Sequence, residues 1–204
     1  MGVKRSLIYR SGALYEIIMR VLYGRYYANR YRALNMVIPA GSSVTELCCG
    51  PGTLFRKYLR DRNIHYTGLD MNNGFVAKVI QAGGYGICTE ITSKTPIPHA
   101  DRVIMQASLY HFLPDEAEPV LLAMLAAARE EILVAEPVKN LATASHPVLA
   151  FFGKHLTDPG SGKHTYRFNA ESLEALIMRV TPSECVIRQL VGGGREVFYR
   201  IRST

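Results

Sequence analysis

The sequence of 204 residues predicts an α/β protein built on a mostly parallel sheet. From residue 44 onward, short apolar runs alternate with helical patterns, which is typical of strand–helix–strand units. Each run ends at a polar residue or a glycine, as strands buried on both faces do. Two β-rich runs around a glycine tract close the chain. The length fits a single domain with a substantial core.

Two helices are predicted ahead of the sheet. Residues 12–23 carry apolar side chains at helical spacing, so we expect one face of this helix to pack on the rest of the protein. These positions are Leu14, Ile17, Ile18, Val21 and Leu22. A second helix is predicted over about 25–38 and ends at Pro39 and the turn that follows. Its apolar face consists of Tyr27, Tyr31, Leu34 and Ile38.

The sheet elements follow in order along the chain. The predicted strands are Val44–Cys48, Tyr66–Leu69, Tyr85–Cys88, Arg102–Gln106 and Ile132–Ala135. Helices are predicted over about 52–62, 72–82, 114–128 and 169–180, the last capped by Asn169 with Glu171 and Ser172 in its first turn. The runs Glu184–Val191 and Glu196–Arg202 flank the turn Gly192–Arg195 and predict an antiparallel hairpin.

The net charge of +7 is concentrated at the start of the chain. Residues 1–40 hold seven basic side chains and one acid, Glu16, together with six of the twelve tyrosines. The remaining residues are therefore almost neutral. A basic, tyrosine-rich segment is compatible with nucleic-acid binding, with a solvated helix face or with a cover over a binding site.

Other classes of protein are disfavoured by what the sequence lacks. No apolar run approaches the roughly 20 residues of a membrane-spanning helix, and no secretory signal is visible, so we expect a cytoplasmic protein. The four cysteines show neither CxxC spacing nor a regular framework, which disfavours disulfides and thiolate zinc sites. The six histidines show no metal-binding spacing, so no metal is expected.

The strongest motif follows the first predicted strand, where Gly50 and Gly52 form a glycine-rich turn. Such a turn lets a ligand lie against the backbone and directs helix N-terminal amides at negative groups. Asp70 closes the second strand, where an open α/β sheet places an acid that binds a ribose diol. The pair predicts a nucleoside-type ligand at the carboxyl edge of the sheet. The alternative is a tight turn together with a helix-capping aspartate.

These motifs resemble those of the class I S-adenosylmethionine-dependent methyltransferases, in particular the small-molecule branch that includes quinone-biosynthesis and phospholipid methyltransferases. The resemblance extends over about residues 40–202 and is carried by Glu46–Gly52, Gly68–Asp70, Asp101–Phe112 and Ile132–Pro137. It implies a Rossmann-like, seven-stranded, mostly parallel sheet with a C-terminal antiparallel hairpin. It also implies that residues 1–40 form an N-terminal helical lid segment and residues 41–204 the Rossmann-like methyltransferase domain.

The resemblance further implies that the protein binds S-adenosylmethionine. The cofactor-binding candidates are Glu46, Cys48, Gly50, Gly52, Asp70, Met71, Glu90 and Gln106. Cys48 departs from the family pattern, which usually has glycine at this position close to the methionine part of the cofactor. Glu90 is a candidate for the adenine contact and is equally compatible with a surface carboxylate.

The loop after the fourth strand supplies the catalytic candidates, Tyr110 and His111. An imidazole with an ordinary pKa of about 6.5 can take a proton from a hydroxyl or an amine, although a packing histidine has the same appearance in a sequence. Tyr23, Tyr27 and Ser108 are the acceptor-binding candidates.

The resulting hypothesis is methyl transfer from S-adenosylmethionine to a small-molecule acceptor, with nucleic acid not expected as a partner. The alternatives are an RNA or DNA methyltransferase, and a non-catalytic protein that binds S-adenosylmethionine or S-adenosylhomocysteine.

Overall fold

The fold is described by a computed structural model for residues 12–138 and 166–203. Helix α1 (Gly12–Tyr23) leads through one 3₁₀ turn, Gly24–Tyr26, into α2 (Tyr27–Val37). The strands are β1 (Ser43–Leu47), β2 (His65–Asp70), β3 (Tyr85–Cys88), β4 (Ala100–Gln106), β5 (Ala128–Pro137), β6 (Val186–Val191) and β7 (Glu196–Arg202). The remaining α-helices are α3 (Asn73–Gln81), α4 (Ala117–Ala127) and α5 (Ala170–Val180).

The seven strands form one sheet in the order β3-β2-β1-β4-β5-β7-β6. Strands β1 to β5 are parallel, and β7 lies antiparallel between β5 and β6. The predicted seven-stranded, mostly parallel sheet with a terminal antiparallel hairpin is therefore confirmed. The strand order reverses between β1 and β4, and in open α/β sheets ligands bind outside the carboxyl ends of the strands at such a point.

Successive side chains of the central strands enter two different cores, because they point to opposite faces of the sheet. Met105 and Val134 belong to the core that packs against α4 and α5. Ile104 and Leu133 belong to the core that packs against α2 and the helical stretch after β1. Both faces of the sheet are thus covered, as the uninterrupted apolar sequence of these strands predicts.

The face of α2 that the sequence predicted is confirmed, since Tyr27, Tyr31, Leu34 and Ile38 are all buried. The predicted inward face of α1 was wrong for Ile17 and Val21, which are 58% and 65% exposed. Helix α1 instead turns Tyr23 inward, where its hydroxyl donates to the buried Glu196 carboxylate at 2.6 Å. This buried hydrogen bond holds the C-terminal end of α1 against the sheet.

The helix predicted over 52–62 is less regular than expected. It contains a π-helical turn at Phe55–Leu59 and a 3₁₀ turn at Arg60–Arg62, and it ends at Asn63 with φ of +55°. Phe55 stacks on Tyr66 of β2 with ring centroids 4.4 Å apart. The capping of the last predicted helix is confirmed: Asn169 and Ser172 form a reciprocal capping box at the start of α5.

Within residues 12–138 and 166–203, none of the helices combines the length and the apolar composition that crossing a membrane requires.

Candidate functional site

The glycine-rich turn follows β1 at the carboxyl edge of the sheet. Gly50 and Gly52 adopt φ of +55° and +67°, the left-handed region that favours glycine. A Cβ atom on Gly50 would meet nothing within 4 Å, so the backbone there is open to a ligand. A Cβ on Gly52 would lie 2.7 Å from the Val79 side chain of α3. The two glycines therefore serve different purposes, access at Gly50 and close helix packing at Gly52.

Asp70 lies at the end of β2, directly beside this turn. Its carboxylate accepts the amide of Gly50 at 2.9 Å through one oxygen and the amide of Asn72 at 2.8 Å through the other. The turn is also joined to β2 by the amide of Cys49, which donates to the Leu69 carbonyl at 3.0 Å. The two strongest sequence candidates, Gly50 and Asp70, are thus brought into direct contact by the parallel pairing of β1 and β2.

Glu46 lies beneath the turn, in the core on the α2 side of the sheet. It is buried, and the hydroxyl of Tyr66 donates to its carboxylate at 2.5 Å. Burial raises the pKa of Glu46 to about 7, because the charged form is poorly solvated there. Gly68 of β2 lies beside the Tyr66 side chain, and a Cβ atom on Gly68 would come within 2.8 Å of the Cys49 sulfur. This hydrogen bond therefore joins Glu46 of β1 to β2 within the core.

Cys48 adopts φ of +52°, in the left-handed region that favours glycine. Its side chain packs against the core on the α4 and α5 side. Burial, reinforced by the nearby carboxylate of Asp70, raises the pKa of its thiol. The thiol is therefore protonated at neutral pH and has little nucleophilic character.

A second non-glycine residue with positive φ lies at the same edge. Ala107 follows β4 and also has φ of +52°. Because β1 and β4 are neighbouring parallel strands, both left-handed residues lie where their carboxyl ends meet. Such conformations cost on the order of 1–3 kcal/mol and are concentrated at functional sites.

Gln106, the last residue of β4, carries a buried side-chain nitrogen that has no hydrogen-bond partner within the described residues. A buried donor of this kind loses the free energy of a hydrogen bond unless a ligand or an ordered water accepts from it.

The loop that follows β4 carries the residues predicted for the acceptor side. Tyr110 is buried, and its ring centroid lies 4.0 Å from that of the half-buried His111. The guanidinium of Arg167, which the sequence analysis did not single out, lies 4.2 Å from the centroid of the Tyr110 ring. Ser108 is buried, and its hydroxyl donates to the Gln106 carbonyl at 3.1 Å.

The remaining candidates lie at different depths. Met71 is half exposed directly after Asp70, and Glu90 is exposed after β3. Tyr23 and Tyr27 are buried in the core on the α2 side, with hydroxyl contacts to Glu196 at 2.6 Å and to Tyr31 at 3.5 Å. In the described structure these two tyrosines therefore pack in the core.

Among the described residues, no group of three or more histidine, cysteine or acidic side chains could hold a metal ion.

Comparison with protein families identifies the chain. The sequence model of the family described as methionine biosynthesis protein MetW matches residues 28–135, which is more than half of the sequence. The chain belongs to the MetW family. No curated protein matches it significantly.

Solved structures share the fold of this MetW family member at low sequence identity. A Thermotoga maritima methyltransferase, described as a possible histamine N-methyltransferase, has a TM-score of 0.67 at 15% identity, over 97% of this chain and 98% of its own. Magnesium protoporphyrin IX methyltransferase of Synechocystis, with bound S-adenosylhomocysteine, has a TM-score of 0.62 at 13% identity, over 91% and 92% of the two chains. Human N-acetylserotonin methyltransferase, in complex with S-adenosylmethionine, has a TM-score of 0.64 at 15% identity, over 96% of this chain and 57% of its own. The fold is that of the class I S-adenosylmethionine-dependent methyltransferases.

The residues at the carboxyl edge fit such a cofactor. The open side of Gly50 admits a ligand to the backbone, Asp70 offers a carboxylate beside it, and Gln106 offers an unsatisfied donor. The Cys48 thiol packs on the α4 and α5 side, near Ser108 and the Asp70 carboxylate, and the backbone of Gly50 stays open.

Sequence reasoning missed two residues of this edge, Glu136 and Arg167. Glu136 is a charged residue directly after the apolar run Ile132–Ala135 of β5, and this contrast could have drawn attention to it. Arg167 precedes α5 in a region without a motif, and only the packing of that region on the loop after β4 brings it to Tyr110.

Proposed function

We propose that this MetW family member binds S-adenosylmethionine at the carboxyl edge of the sheet and transfers a methyl group to a small-molecule acceptor. The observation that carries the proposal is the contact between Asp70 and the amide of Gly50, beside a turn whose backbone is open. When bound, the cofactor supplies an electrophilic methyl group on its sulfonium sulfur, so the protein's main task is alignment.

On the cofactor side, Asp70 accepts hydrogen bonds from the ribose hydroxyls, and its two amide contacts hold the carboxylate in place for this purpose. The Gln106 amide nitrogen donates to a polar group of the ligand. Glu46 joins β1 to β2 through Tyr66, and Met71 and Glu90 flank the adenine. Gly50, Gly52 and Cys48 provide the backbone of the cradle.

On the acceptor side, Tyr110 and His111 contact the molecule that receives the methyl group. The His111 imidazole takes a proton when the acceptor is a hydroxyl or an amine, since proton removal must accompany transfer to such groups. Ser108 lies at the entrance to this loop, and Arg167 stacks on Tyr110. Residues 1–40 form a lid segment over the domain of residues 41–204, and Tyr23 and Tyr27 attach this segment to the sheet.

Two observations favour a small molecule over a nucleic acid. The family description refers to methionine biosynthesis, which is small-molecule chemistry. In addition, Arg30 of the basic segment lies inside the protein, where it pairs with Glu196 at 2.8 Å. A cytoplasmic location stays a prediction.

A second candidate is a binding protein without catalytic activity, and the left-handed cysteine at position 48 is the observation that favours it. The two candidates differ in turnover. An enzyme releases S-adenosylhomocysteine when S-adenosylmethionine is supplied with an extract of small metabolites, and His111→Ala lowers this release. A binding protein releases none with any fraction of the extract.

Calorimetric titration with S-adenosylhomocysteine tests the cofactor site. We expect Asp70→Asn to weaken binding by about tenfold or more, because the carboxylate accepts charge-assisted hydrogen bonds. The matched control is Asp61→Asn, since Asp61 is an exposed aspartate in the 3₁₀ turn before β2. Absence of binding heat for the unmodified protein at millimolar ligand would contradict the proposal, and so would equal affinities of the two variants.

A further inference from the structure

Glu136 is a fully buried carboxyl group near the end of β5 to which the proposed function assigns no role. Its exposed fraction is 0%. One carboxyl oxygen accepts two backbone amides at once, from Ser108 at 2.6 Å and from Leu109 at 2.7 Å. The other oxygen has no hydrogen-bond partner within the described residues. A carboxyl group in this position is costly to bury and is retained only when its hydrogen bonds stabilise something specific.

Ala135, which precedes Glu136 in β5, binds the amide that precedes those of Ser108 and Leu109. The Ala107 amide donates to the Ala135 carbonyl at 2.7 Å. Three consecutive amides, those of residues 107 to 109, are therefore bound by two consecutive residues of β5. Ala107 is also the residue with φ of +52°, a conformation that alanine adopts only where surrounding contacts impose it.

The fixed amides lie directly before the residues that face the acceptor in the proposed function. Leu109–Phe112 forms a single 3₁₀ turn, and the His111 amide donates to the Ser108 carbonyl at 3.1 Å. The far end of this turn is held by the Leu113 and Glu116 amides, which donate to the Tyr110 and Phe112 carbonyls at 3.4 and 2.8 Å, whereas its start is held by the amides that β5 binds. A shift of Ser108 and Leu109 is therefore transmitted to Tyr110 and His111.

We propose that Glu136 is a positioning residue, which fixes the loop after β4 through the amides of Ser108 and Leu109 and so orients Tyr110 and His111. The consequence for the acceptor rests on the proposed function, whereas the attachment of the loop to Glu136 does not. Glu136 acts through the loop and need not touch the reacting atoms.

The electrostatic surroundings of Glu136 make this attachment visible to titration. Burial raises the pKa of Glu136 to about 8, and the Glu196 carboxylate of β7 contributes in the same direction. The Cys48 thiol, in the turn after β1, faces Glu136. In the loop after β4, Tyr110 and His111 directly follow the two amides that Glu136 binds. The core side chains of α4 and α5 on this face of the sheet are apolar. Loss of the proton makes the carboxyl group a stronger acceptor for both amides.

Nuclear magnetic resonance of the full chain tests the attachment without any acceptor. We expect the amide protons of Ser108 and Leu109 to titrate together, with a midpoint near the pKa of about 8. Glu136→Gln retains an oxygen for both amides and should abolish the titration with little change in position. Glu136→Ala should move both signals upfield. Glu130→Gln, on the same strand but exposed, is the control and should leave them unchanged. If the signals in Glu136→Ala also stay unchanged, the proposal is wrong.

Turnover and cofactor affinity, measured separately, test the consequence for the acceptor. We expect Glu136→Ala to lower kcat by about tenfold to a hundredfold, the usual cost of a small misplacement, and to change the affinity for S-adenosylhomocysteine by no more than about twofold. Glu136→Gln should retain most of the turnover. If the alanine variant does not fold, kcat and affinity are measured on the glutamine variant instead. Equal loss of affinity and turnover in either variant would overturn the positioning role. Failure of the unmodified protein to bind S-adenosylhomocysteine would instead overturn the proposed function, with the resonance measurement still deciding the attachment.

Discussion

Two carboxyl groups at opposite edges of the central sheet, Asp101 and Glu136, have pKa values that are shifted in opposite directions. At the amino edge, Asp101 accepts the Ser43 amide at 2.7 Å and lies 3.4 Å from the Arg129 guanidinium. Its pKa is lowered, mainly by hydrogen bonds from the Ser43 backbone and side chain. At the carboxyl edge, Glu136 also accepts backbone amides, yet burial raises its pKa to about 8. At Glu136, complete desolvation outweighs hydrogen bonds of the same type.

The backbone shows the same contrast along a single strand. Ala100, the first residue of β4, is not left-handed, although the pairing with β5 shifts register between Ala100 and Arg102, whereas Ala107, one residue past the end of β4, is left-handed. Within the described residues, buried side-chain atoms without a hydrogen-bond partner occur at the carboxyl edge on Gln106 and Glu136, and also near the amino edge on Arg102. The carboxyl edge therefore holds conformations and charges that lower stability, which is expected of a site shaped for a ligand.

The largest expected effect concerns Glu196, a buried carboxylate at the carboxyl edge that is paired with a cation. Glu196 is buried and paired with the buried Arg30. Arg30→Ala leaves that charge without its cation, and we expect a loss of about 3–5 kcal/mol of unfolding free energy. Chemical denaturation measures it, with the exposed Arg32→Ala as the control. A loss below about 1 kcal/mol would show that the pair contributes little.

The next effect is a fall in stability as the pH rises. Glu136 and Glu46 have folded-state pKa values of about 8 and about 7, both above the ordinary value of 4.5. The folded protein therefore holds these protons more tightly, and stability declines as the pH rises from about 4.5 to 8, by up to about 1.4 kcal/mol per pH unit for each group. Thermal unfolding between pH 5 and pH 9 measures this decline.

The variants that test the pH effect are matched to the two edges. Glu46→Gln combined with Glu136→Gln should flatten the decline, because neither amide titrates. Asp101→Asn should leave it intact, since the lowered pKa of Asp101 contributes stability that is lost only as the pH falls below its ordinary range. An unchanged slope in the double glutamine variant would refute the assignment.

The smallest expected effect compares the two ends of β4. Ala107→Gly relieves the left-handed conformation and should stabilise the protein by about 1 kcal/mol. Ala100→Gly, in a buried strand position, should destabilise it by about 1 kcal/mol. For a chain of this size each change corresponds to roughly 2–4 °C in Tm. Destabilisation by both substitutions would mean that the left-handed alanine is not strained.

The parts of the molecule that the sequence predicted are those that depend on neighbours along the chain. Strands, the terminal hairpin and the cap at Asn169 follow from local patterns, and their bounds differ mostly by a few residues. The contact between Gly50 and Asp70 was predictable because parallel strands that follow one another place their carboxyl ends together.

The parts that could not be predicted depend on distant residues. Glu136 reaches Ser108 and Leu109 only because β4 and β5 pair in one particular register. Arg167 reaches Tyr110 across a larger separation in the sequence. The exposed side of α1 was mistaken because its apolar pattern does not reveal which side Tyr23 turns toward Glu196, 173 residues away.

The sequence by itself therefore determined the class of fold, the glycine-rich turn, the acid that faces it and the loop that follows the fourth strand. These features are encoded by residue type and short spacing, through backbone conformation and strand alternation. Only the tertiary structure decided which carboxylates are buried, which have a cation and which hold a loop in place. Those properties depend on desolvation and on contacts between strands that the sequence separates, and neither is a property of any local segment.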